Sequence, residues 1–214
     1  IQIIVSEAKI DWHYCFYKSG KPFISQLQNF LSLKNKVTIE VKKNKGHTIL
    51  HCRSYLPGLI GLYSKKKYNT SFIFDMRGFW ADERIEGAIW NKNSIIGASL
   101  YAYFKKKEKE MIIASDAIIS LTHKAKQIII DWNLIINNDK IQVIPCCVDL
   151  EHFSKKNINF SHLEKIHNQL PQLKNKFILS YIGSIGTWYK ADEMLAFFKI
   201  LSDKTPALFL IITK

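Results

Sequence analysis

Residues 72–87 are the most informative segment of the chain and read Phe-Ile-Phe-Asp-Met-Arg-Gly-Phe-Trp-Ala-Asp-Glu-Arg-Ile-Glu-Gly. A short apolar run of strand-forming residues passes directly into charged residues, a glycine and a tryptophan. Buried strands of parallel sheets read as apolar runs, and open α/β sheets bind ligands just beyond the carboxyl ends of their strands. The stretch therefore predicts a strand that ends at a binding site.

The charged cluster also fits a second interpretation, a solvated surface loop. In that case Asp75, Arg77 and the charged residues at 82–84 pair in water, and each pair contributes only ~0–1 kcal/mol. Phe79 and Trp80 count against this interpretation, because large aromatic side chains are unfavourable in a polar loop unless they pack on the protein body or on a ligand.

Length and composition indicate a globular protein of one domain or one and a half. The chain has 214 residues, of which 47% are hydrophobic, and this is enough for a substantial core. No apolar run approaches the ~20 residues that a membrane-spanning helix needs. The first residues lack the basic start of a secretory signal, so we expect a cytoplasmic location.

The net charge of +13 would suit a polyanionic partner. The chain is rich in Ile, Asn and Lys together, which is the bias of an A+T-rich genome, so half of the excess is discounted. The remainder predicts peripheral contact with anionic lipid at the inner face of the membrane, at ~1 kcal/mol per basic residue near the surface. Nucleic acid is not predicted as a partner, because the lysines are scattered over several helices.

Cysteine spacing and glycine motifs exclude several classes of site. The four cysteines are Cys15, Cys52, Cys146 and Cys147, and they show no Cys-x-x-Cys or Cys/His spacing, so we interpret them as buried thiols and predict no metal site. The chain has neither a Gly-x-Gly-x-x-Gly turn nor a P-loop. No cofactor is therefore predicted.

Short apolar runs alternate with helical patterns along the whole chain, as is typical of βαβ units with a parallel sheet. The predicted strands cover residues 1–5, 12–17, 48–51, 71–74, 117–121, 141–144, 177–182 and 207–212. The predicted helices cover residues 23–42, 59–66, 95–114, 124–132 and 191–202, with a short helical piece that ends near 173. The lysine-rich run at 105–110 predicts a solvated helix face with i, i+4 pairing.

The pattern after Pro145 becomes polar and loop-like, and a strand, a glycine turn and a helix begin again at Phe177. This predicts one domain over residues 1–173 and the start of a second over 174–214. The chain begins without Met at an apparent internal strand and ends one strand into the second domain. We expect a fragment whose first domain lacks its first strand–helix unit and whose second domain is truncated.

Five segments together resemble a GT-B glycosyltransferase of glycosyltransferase family 4. Each segment alone is weak, but their order and spacing from about residue 47 to residue 200 make the match specific. The segments are His51-Cys-Arg-Ser-Tyr-Leu-Pro-Gly, residues 74–84, Glu110 with residues 115–122, residues 143–153, and Tyr181-Ile-Gly-Ser-Ile-Gly-Thr-Trp-Tyr.

The resemblance implies two Rossmann-like domains that face a cleft, with the acceptor site on the first domain and the nucleotide-sugar site on the second. It further implies hexosyl transfer with retention of configuration and without a metal, because helix dipoles and basic side chains stabilise the leaving diphosphate. The donor would be a nucleoside diphosphate sugar and the acceptor a glycan or lipid-linked glycan. Polysaccharide biosynthesis is the implied setting.

On the donor side, the resemblance assigns the diphosphate to a glycine-rich turn and the helix that follows it. Close approach of a phosphate suits glycine, and a helix amino terminus supplies N–H donors. Relatives carry an arginine where Ser184 stands and a lysine where Lys190 stands, so half of the phosphate clamp is altered; without the resemblance, Lys190 reads as an exposed side chain. The predicted donor residues are Gly183, Ser184, Gly186, Thr187 and Lys190.

On the acceptor side, the resemblance makes Asp75 and Arg77 the catalytic candidates. Arg77 stands where many relatives have a histidine, and it holds anions bidentately but cannot act as a base. Asp82 and Glu83 are candidates for binding acceptor hydroxyls, and Trp80 is expected to pack at the base of the loop. Three residues at strand ends are predicted to line the same cleft, with local loop capping as the alternative: Arg53, Thr122 and His123.

Two other functions remain open from the sequence. A sugar-nucleotide epimerase of the same architecture would need a carboxylate and a histidine as acid and base in the cleft. A basic, non-enzymatic module for nucleic acid or membrane would rest on charge alone. The paired glutamates that the family carries late in its second domain have no counterpart before Lys214, so we expect the isolated chain to be inactive.

Overall fold

A computed structural model describes residues 7–44, 48–186 and 189–213, except for the side chain of Pro22. The helices are α1 (Pro22–Lys43), α2 (Tyr55–Tyr68), α3 (Trp80–Glu86), α4 (Ile95–Ala114), α5 (His123–Asp131), α6 (Phe160–Gln169) and α7 (Ala191–Ser202). The strands are β1 (Ile49–Arg53), β2 (Ser71–Asp75), β3 (Ala117–Ser120), β4 (Ile141–Val143), β5 (Phe177–Ile182) and β6 (Ala207–Ile212). Short 3₁₀ turns lie at Asn138–Lys140, Lys155–Asn157 and Pro171–Leu173.

The described residues form two compact units. The first comprises the chain up to Ala81 together with Ser99–Pro145, and the second comprises Asp82–Ala98 and the chain from Cys146 onward. The first unit contains a four-stranded sheet of order β1-β2-β3-β4, and the second contains the pair β5-β6. All of these strand pairs are parallel, which confirms the predicted α/β class. The domain boundary at residue 173 stays a prediction.

The core of the first unit lies where helix α2 crosses strand β2. Phe72 and Phe74 alternate on one face of β2 and are fully buried. Gly58 and Gly61 of α2 face these rings, and a Cβ atom added to Gly61 would lie 2.4 Å from the Phe72 ring. The absence of side chains at these two glycines therefore lets the helix backbone approach the strand closely.

Asp116, which follows helix α4, links the start of β2 to helix α2 through an ion pair and a hydrogen bond. Both of its carboxylate oxygens lie 2.7 Å from Lys65 Nζ, and Oδ2 accepts a hydrogen bond of 2.8 Å from the Phe72 amide. Burial raises the pKa of Asp116, but the hydrogen bonds from Lys65 and Phe72 and the charges of Lys65 and Lys140 outweigh it, so the pKa lies below its ordinary value. The carboxylate therefore stays ionised at neutral pH.

Most predicted elements are confirmed to within a few residues, but the predicted strand at 12–17 is wrong. Residues 10–19 have no regular secondary structure. Their backbone bonds instead to side chains of helix α1, since Lys36 Nζ donates to the Tyr14 carbonyl and the Asn29 amide group pairs with Lys18 N and O at 2.9 and 3.1 Å. A strand needs a partner strand for these groups. The predicted strand at 1–5 lies outside the described residues.

The cysteines do not share one environment, so the interpretation of all four as buried thiols is wrong. Cys52 is buried in the first unit, and its burial raises the pKa of the thiol to about 11. Cys146 and Cys147 are exposed, and Cys15 is partly exposed. Within the described ranges, no three His, Cys, Asp or Glu side chains are grouped so that they could hold a metal ion. No described helix is long and apolar enough to cross a membrane.

Candidate functional site

The candidate site lies at the carboxyl edge of the first sheet. Because β1, β2 and β3 are parallel, their carboxyl ends meet at one edge, and Arg53 pairs in register with Asp75. The Ser54 amide donates to the Asp75 carbonyl at 2.8 Å, and the Met76 amide donates to the Ile119 carbonyl at 3.0 Å. The structure therefore brings Arg53 and Asp75 together, as the strand pattern predicts.

Two residues beside Asp75 have strained backbones. Ser54 has φ 71° and ψ 179°, and Arg77 has φ 63°. Such conformations suit glycine and are unfavourable by roughly 1–3 kcal/mol for other residues. They persist only where the surrounding structure imposes them, and they concentrate at functional sites. Six other described non-glycine residues also have positive φ, among them Asn69 and Ala88, so the strain supports a site here only together with the burial of Asp75.

Asp75 itself is only 8% exposed. Its Oδ2 lies 3.5 Å from His51 Nε2, a contact that becomes an ion pair only when the histidine is protonated. Its Oδ1 is buried and has no hydrogen-bond partner among the described residues. A buried carboxylate oxygen without a donor is strongly unfavourable, so a ligand hydroxyl or N–H group at this position would remove that penalty.

His51 is a further candidate for this site that the sequence prediction did not include. It lies two residues before Arg53 on β1, so both side chains point to the same face of the strand. That period-two spacing, at the end of a strand next to Asp75, was the signal available in the sequence.

The two aromatic residues Phe79 and Trp80 pack on the protein body. Trp80 stacks on Tyr55 with ring centroids 5.6 Å apart, and it meets Phe104 edge-on at 4.8 Å. Phe79 meets Trp132 edge-on at 5.5 Å. These contacts account for Phe79 and Trp80 without a ligand, so the argument for a site rests on Asp75 and the strained backbone instead.

A buried polar network lies under the turn at 76–79. Tyr55 and Glu108 are both 0% exposed. The Tyr55 hydroxyl donates to Glu108 Oε2 and lies 3.4 Å from the Gly78 carbonyl oxygen. Lys105 Nζ forms an ion pair with Glu108 Oε1. This pair is largely shielded from water, so it holds its geometry more firmly than an exposed pair would.

The prediction that the 105–110 run is a solvated face is therefore wrong for Lys105 and Glu108. It holds for Glu110, which pairs at the surface with Lys107 at 3.0 Å and with Lys66 at 3.2 Å. The buried face was readable from spacing, because Phe104, Glu108 and Met111 follow one another at four and three residues and are all buried.

The residues after β3 were predicted either to line the cleft or to cap a local loop. The Thr122 hydroxyl accepts a hydrogen bond of 3.0 Å from the Ala125 amide and so caps helix α5. This is the capping alternative, and it occupies the Thr122 side chain. His123 is the first residue of α5 and is exposed, as is Arg53.

Asp82 and Glu83 lie in the first turn of helix α3. Acidic side chains there are favoured by the positive end of the helix dipole. The helix begins at Trp80 in the first unit, whereas Asp82 and Glu83 belong to the second compact unit. Their assignment to acceptor hydroxyls stays a prediction.

The predicted donor turn lies in the second unit, after strand β5. The Gly183 amide donates to the Ile212 carbonyl at 3.0 Å, and the Tyr181 hydroxyl donates to the Ser184 carbonyl at 2.7 Å. The Tyr189 amide donates to Gly186 O at 2.9 Å. The turn thus leads from the carboxyl end of a parallel strand toward the amino terminus of α7. Thr187 lies outside the described residues.

Lys190 immediately precedes helix α7, with φ 38° in the left-handed region. Its side chain is 76% exposed, and its Nζ lies 3.5 Å from Glu193 Oε1. The exposure of Lys190 is compatible with both alternatives, a solvated surface side chain and a contact with the donor phosphate. Its donor role, like those of Gly183, Ser184 and Gly186, stays a prediction.

Comparisons with known proteins agree with this architecture. The family model described as Glycosyltransferase Family 4 matches residues 9–152. A crystal structure of HepE from Anabaena in complex with UDP and glucose superposes with a TM-score of 0.59 at 11% identity, covering 98% of this chain and 50% of that chain. A second structure, of HepE with UDP-glucose, gives a TM-score of 0.53 at 9% identity, covering 100% and 58%.

At these identities the likeness shows the fold alone. The chain spans about half the length of the solved HepE chains, and no curated protein sequence matches it. The predicted Rossmann-like fold of the GT-B class is confirmed. Because the family model covers residues 9–152, well over half of the sequence, the chain belongs to glycosyltransferase family 4.

Proposed function

We propose that the chain carries the acceptor side of a retaining, metal-independent glycosyltransferase that moves a hexose from a nucleoside diphosphate sugar to a glycan or lipid-linked glycan. Family membership supports the class of reaction. The observation that carries the assignment to this site is the buried Asp75 at the carboxyl edge of the sheet, whose Oδ1 has no hydrogen-bond partner among the described residues. Polysaccharide biosynthesis is the setting that suits these substrates.

Asp75 would accept a hydrogen bond from the acceptor hydroxyl and so orient its oxygen toward the anomeric carbon. In the transfer, a bond forms between the acceptor oxygen and the anomeric carbon, the bond from that carbon to the diphosphate oxygen breaks, and the hydroxyl proton passes to the departing diphosphate. Arg77 would hold the anionic diphosphate bidentately while its charge develops. Arg53 and His123 would line the acceptor side at the same sheet edge, with Trp80 packed beneath the loop. Asp82 and Glu83 would bind acceptor hydroxyls.

The donor would lie at the turn after β5, where Gly183, Ser184 and Gly186 allow close approach of a phosphate and Lys190 adds charge. The solved HepE complexes contain UDP, glucose and UDP-glucose, which supports a nucleotide-sugar donor here. No metal and no cofactor enters this proposal.

The proposal is tested with the full-length protein and a panel of labelled nucleoside diphosphate sugars. We expect transfer of label to a glycan or lipid-linked acceptor in the presence of EDTA, and no transfer by the 214-residue chain alone. Catalysis depends on groups assembled around both substrates, and this chain spans about half of the related solved chains.

Three outcomes would contradict the proposal. Turnover by the isolated chain would refute its predicted inactivity, and loss of activity in EDTA would refute metal independence. Interconversion of one nucleotide sugar into its epimer, without transfer, would favour the epimerase, for which the His51–Asp75 pair at 3.5 Å offers a histidine and a carboxylate.

We further propose that the full-length enzyme works at the cytoplasmic face of the membrane and contacts anionic lipid peripherally. The net charge of +13 supports this contact. We expect sedimentation with vesicles of anionic phospholipid at low salt, and progressive release as salt rises, because charges more than ~8 Å apart are screened at physiological ionic strength. Neutral phosphatidylcholine vesicles are the control. Equal recovery on both vesicle types would contradict the membrane proposal.

A further inference from the structure

Tyr55 touches the segment 74–80 at three places. Its ring meets Phe74 edge-on at 5.7 Å before the turn and stacks on Trp80 at 5.6 Å after it. Its hydroxyl lies 3.4 Å from the carbonyl oxygen of Gly78, within the turn itself. One fully buried side chain thus spans the backbone that carries Arg77.

The position of the Tyr55 hydroxyl is set by Glu108. A phenol has one hydrogen to donate, and the nearer acceptor is the Glu108 carboxylate rather than the Gly78 carbonyl. Hydrogen bonds to a carboxylate are shorter and stronger than neutral ones. Glu108 therefore holds the Tyr55 side chain in place, and the Tyr55 ring packs against residues on both sides of the 76–79 turn.

Lys105 completes the network from the other side. Its Nζ pairs with Glu108 Oε1 and lies 4.7 Å from the ring centroid of Trp132 and 5.9 Å from that of Phe79. Phe79 thus lies beside Lys105, and Gly78 lies beside the Tyr55 hydroxyl that bonds to Glu108. Three helices contribute to this support, since Tyr55 begins α2, Lys105 and Glu108 lie on α4, and Trp132 is the C-cap residue that follows α5.

We propose that Glu108, acting through Tyr55, is a positioning residue that holds the 76–79 turn in the left-handed conformation presenting Arg77 to the substrate. The inference rests on the proposed function for the role of Arg77, but the effect on the turn does not depend on it. A residue with φ 63° returns to ordinary backbone geometry unless its surroundings prevent this. The Gly78 amide donates to the Met76 carbonyl at 2.8 Å and so closes the turn around Arg77. The Glu108–Tyr55 network would hold this closed turn against the helices behind it.

The alternative is that the network only stabilises the fold. A buried ion pair is poor evidence for a special role, because apolar replacements of similar volume are often neutral. The two readings differ in what Tyr55→Phe does. This change removes only the hydroxyl and keeps the ring against Phe74 and Trp80, so a fold-only role predicts reduced stability with an unchanged turn and unchanged turnover.

The experiment uses the full-length protein with three variants, Tyr55→Phe, Glu108→Gln and Glu110→Gln. The last is the matched control, because Glu110 lies on the same helix but pairs with lysines at the surface. In hydrogen–deuterium exchange, we expect the amides of residues 76–80 to exchange at least about tenfold faster in Tyr55→Phe and Glu108→Gln. The control should exchange like the wild type.

Kinetics supply the second readout. We expect kcat in Tyr55→Phe to fall roughly 10- to 100-fold, with a smaller change in KM, as for loss of an interaction that supports the transition state. Because Tyr55 is proposed to act through Arg77, the double variant Tyr55→Phe/Arg77→Lys should be within about threefold of Arg77→Lys alone.

The outcomes separate this proposal from the proposed function. If the wild type transfers no sugar, the proposed function fails, and exchange at 76–80 still decides whether Glu108 and Tyr55 hold the turn. Unchanged exchange in Tyr55→Phe would overturn the proposal even if Glu108→Gln does not fold. In an active enzyme, faster exchange with normal kcat, or fully multiplicative losses in the double variant, would overturn it as well.

Discussion

Replacing Arg77 by lysine in the complete enzyme is expected to lower kcat/KM about 30- to 150-fold, although the positive charge is kept. Lysine lacks the planar fork that binds an anion bidentately, and losing one hydrogen bond to a charged group removes about 2–3 kcal/mol. Both residues carry a Cβ, so the strain at φ 63° is the same in each. The change therefore isolates the guanidinium group.

Two further variants make the Arg77 result specific. Arg84→Lys repeats the same chemical change in helix α3 and should leave kcat/KM within about twofold of the wild type. Arg77→Gly removes the guanidinium and also relieves the backbone strain, because glycine adopts positive φ readily. We expect its thermal midpoint to be equal to or above that of the wild type while activity is lost. Normal kinetics in Arg77→Lys would remove the site assignment and leave only the fold.

Replacing Gly61 by alanine is expected to destabilise the first unit by about 3 kcal/mol or more, at the upper end of typical overpacking effects. The new Cβ would lie 2.4 and 2.5 Å from two atoms of the Phe72 ring and 2.8 Å from Cys52 Sγ. These neighbours are buried, so the helix must move away from β2. The gain of roughly 1 kcal/mol that alanine offers over glycine within a helix does not offset this.

Gly58→Ala is the matched comparison on the same helix. Its added Cβ would meet Met111 Sδ at 2.6 Å and the Phe74 ring at 3.0 Å. A methionine side chain can rearrange more readily than a ring, so we expect a loss at least about 1 kcal/mol smaller than for Gly61→Ala. Urea unfolding of both variants, at constant m-value, gives the two free energies of unfolding. Equal stability of Gly61→Ala and wild type would show that α2 does not approach β2 as described.

The parallel sheet was predictable because each strand is a short apolar run between helical patterns, and the predicted strands at 177–182 and 207–212 match β5 and β6 residue for residue. The predicted strand at 12–17 failed because its aromatic and alternating composition says nothing about where its backbone groups bond. Propensity predicts a strand there, but the side chains of α1 take up those groups instead.

The site was only partly predictable for a related reason. Asp75 and Arg77 could be singled out, since charge after an apolar strand is visible in the sequence. The left-handed backbone of Ser54 and Arg77 could not, because neither residue type favours positive φ. Tyr55 and Glu108 meet across 53 positions of sequence, and such a contact follows from the folded chain rather than from any local pattern.

The order of the first sheet has a consequence for how the chain reaches this structure. Each of its strand pairs joins segments separated by a crossover, since β1 ends at Arg53 and β2 begins at Ser71, while β2 ends at Asp75 and β3 begins at Ala117. No two of these strands are joined by a tight hairpin. The chain must therefore lose conformational entropy to close a long loop before the first hydrogen bonds between strands can form. The folding rate should accordingly be limited by rare encounters between strands that are distant in sequence. Until these encounters occur, the apolar strands of the unfolded chain would be exposed and prone to aggregate. Refolding at low protein concentration should then recover far more native material than refolding at high concentration, whereas a yield independent of concentration would argue for an early, locally formed nucleus.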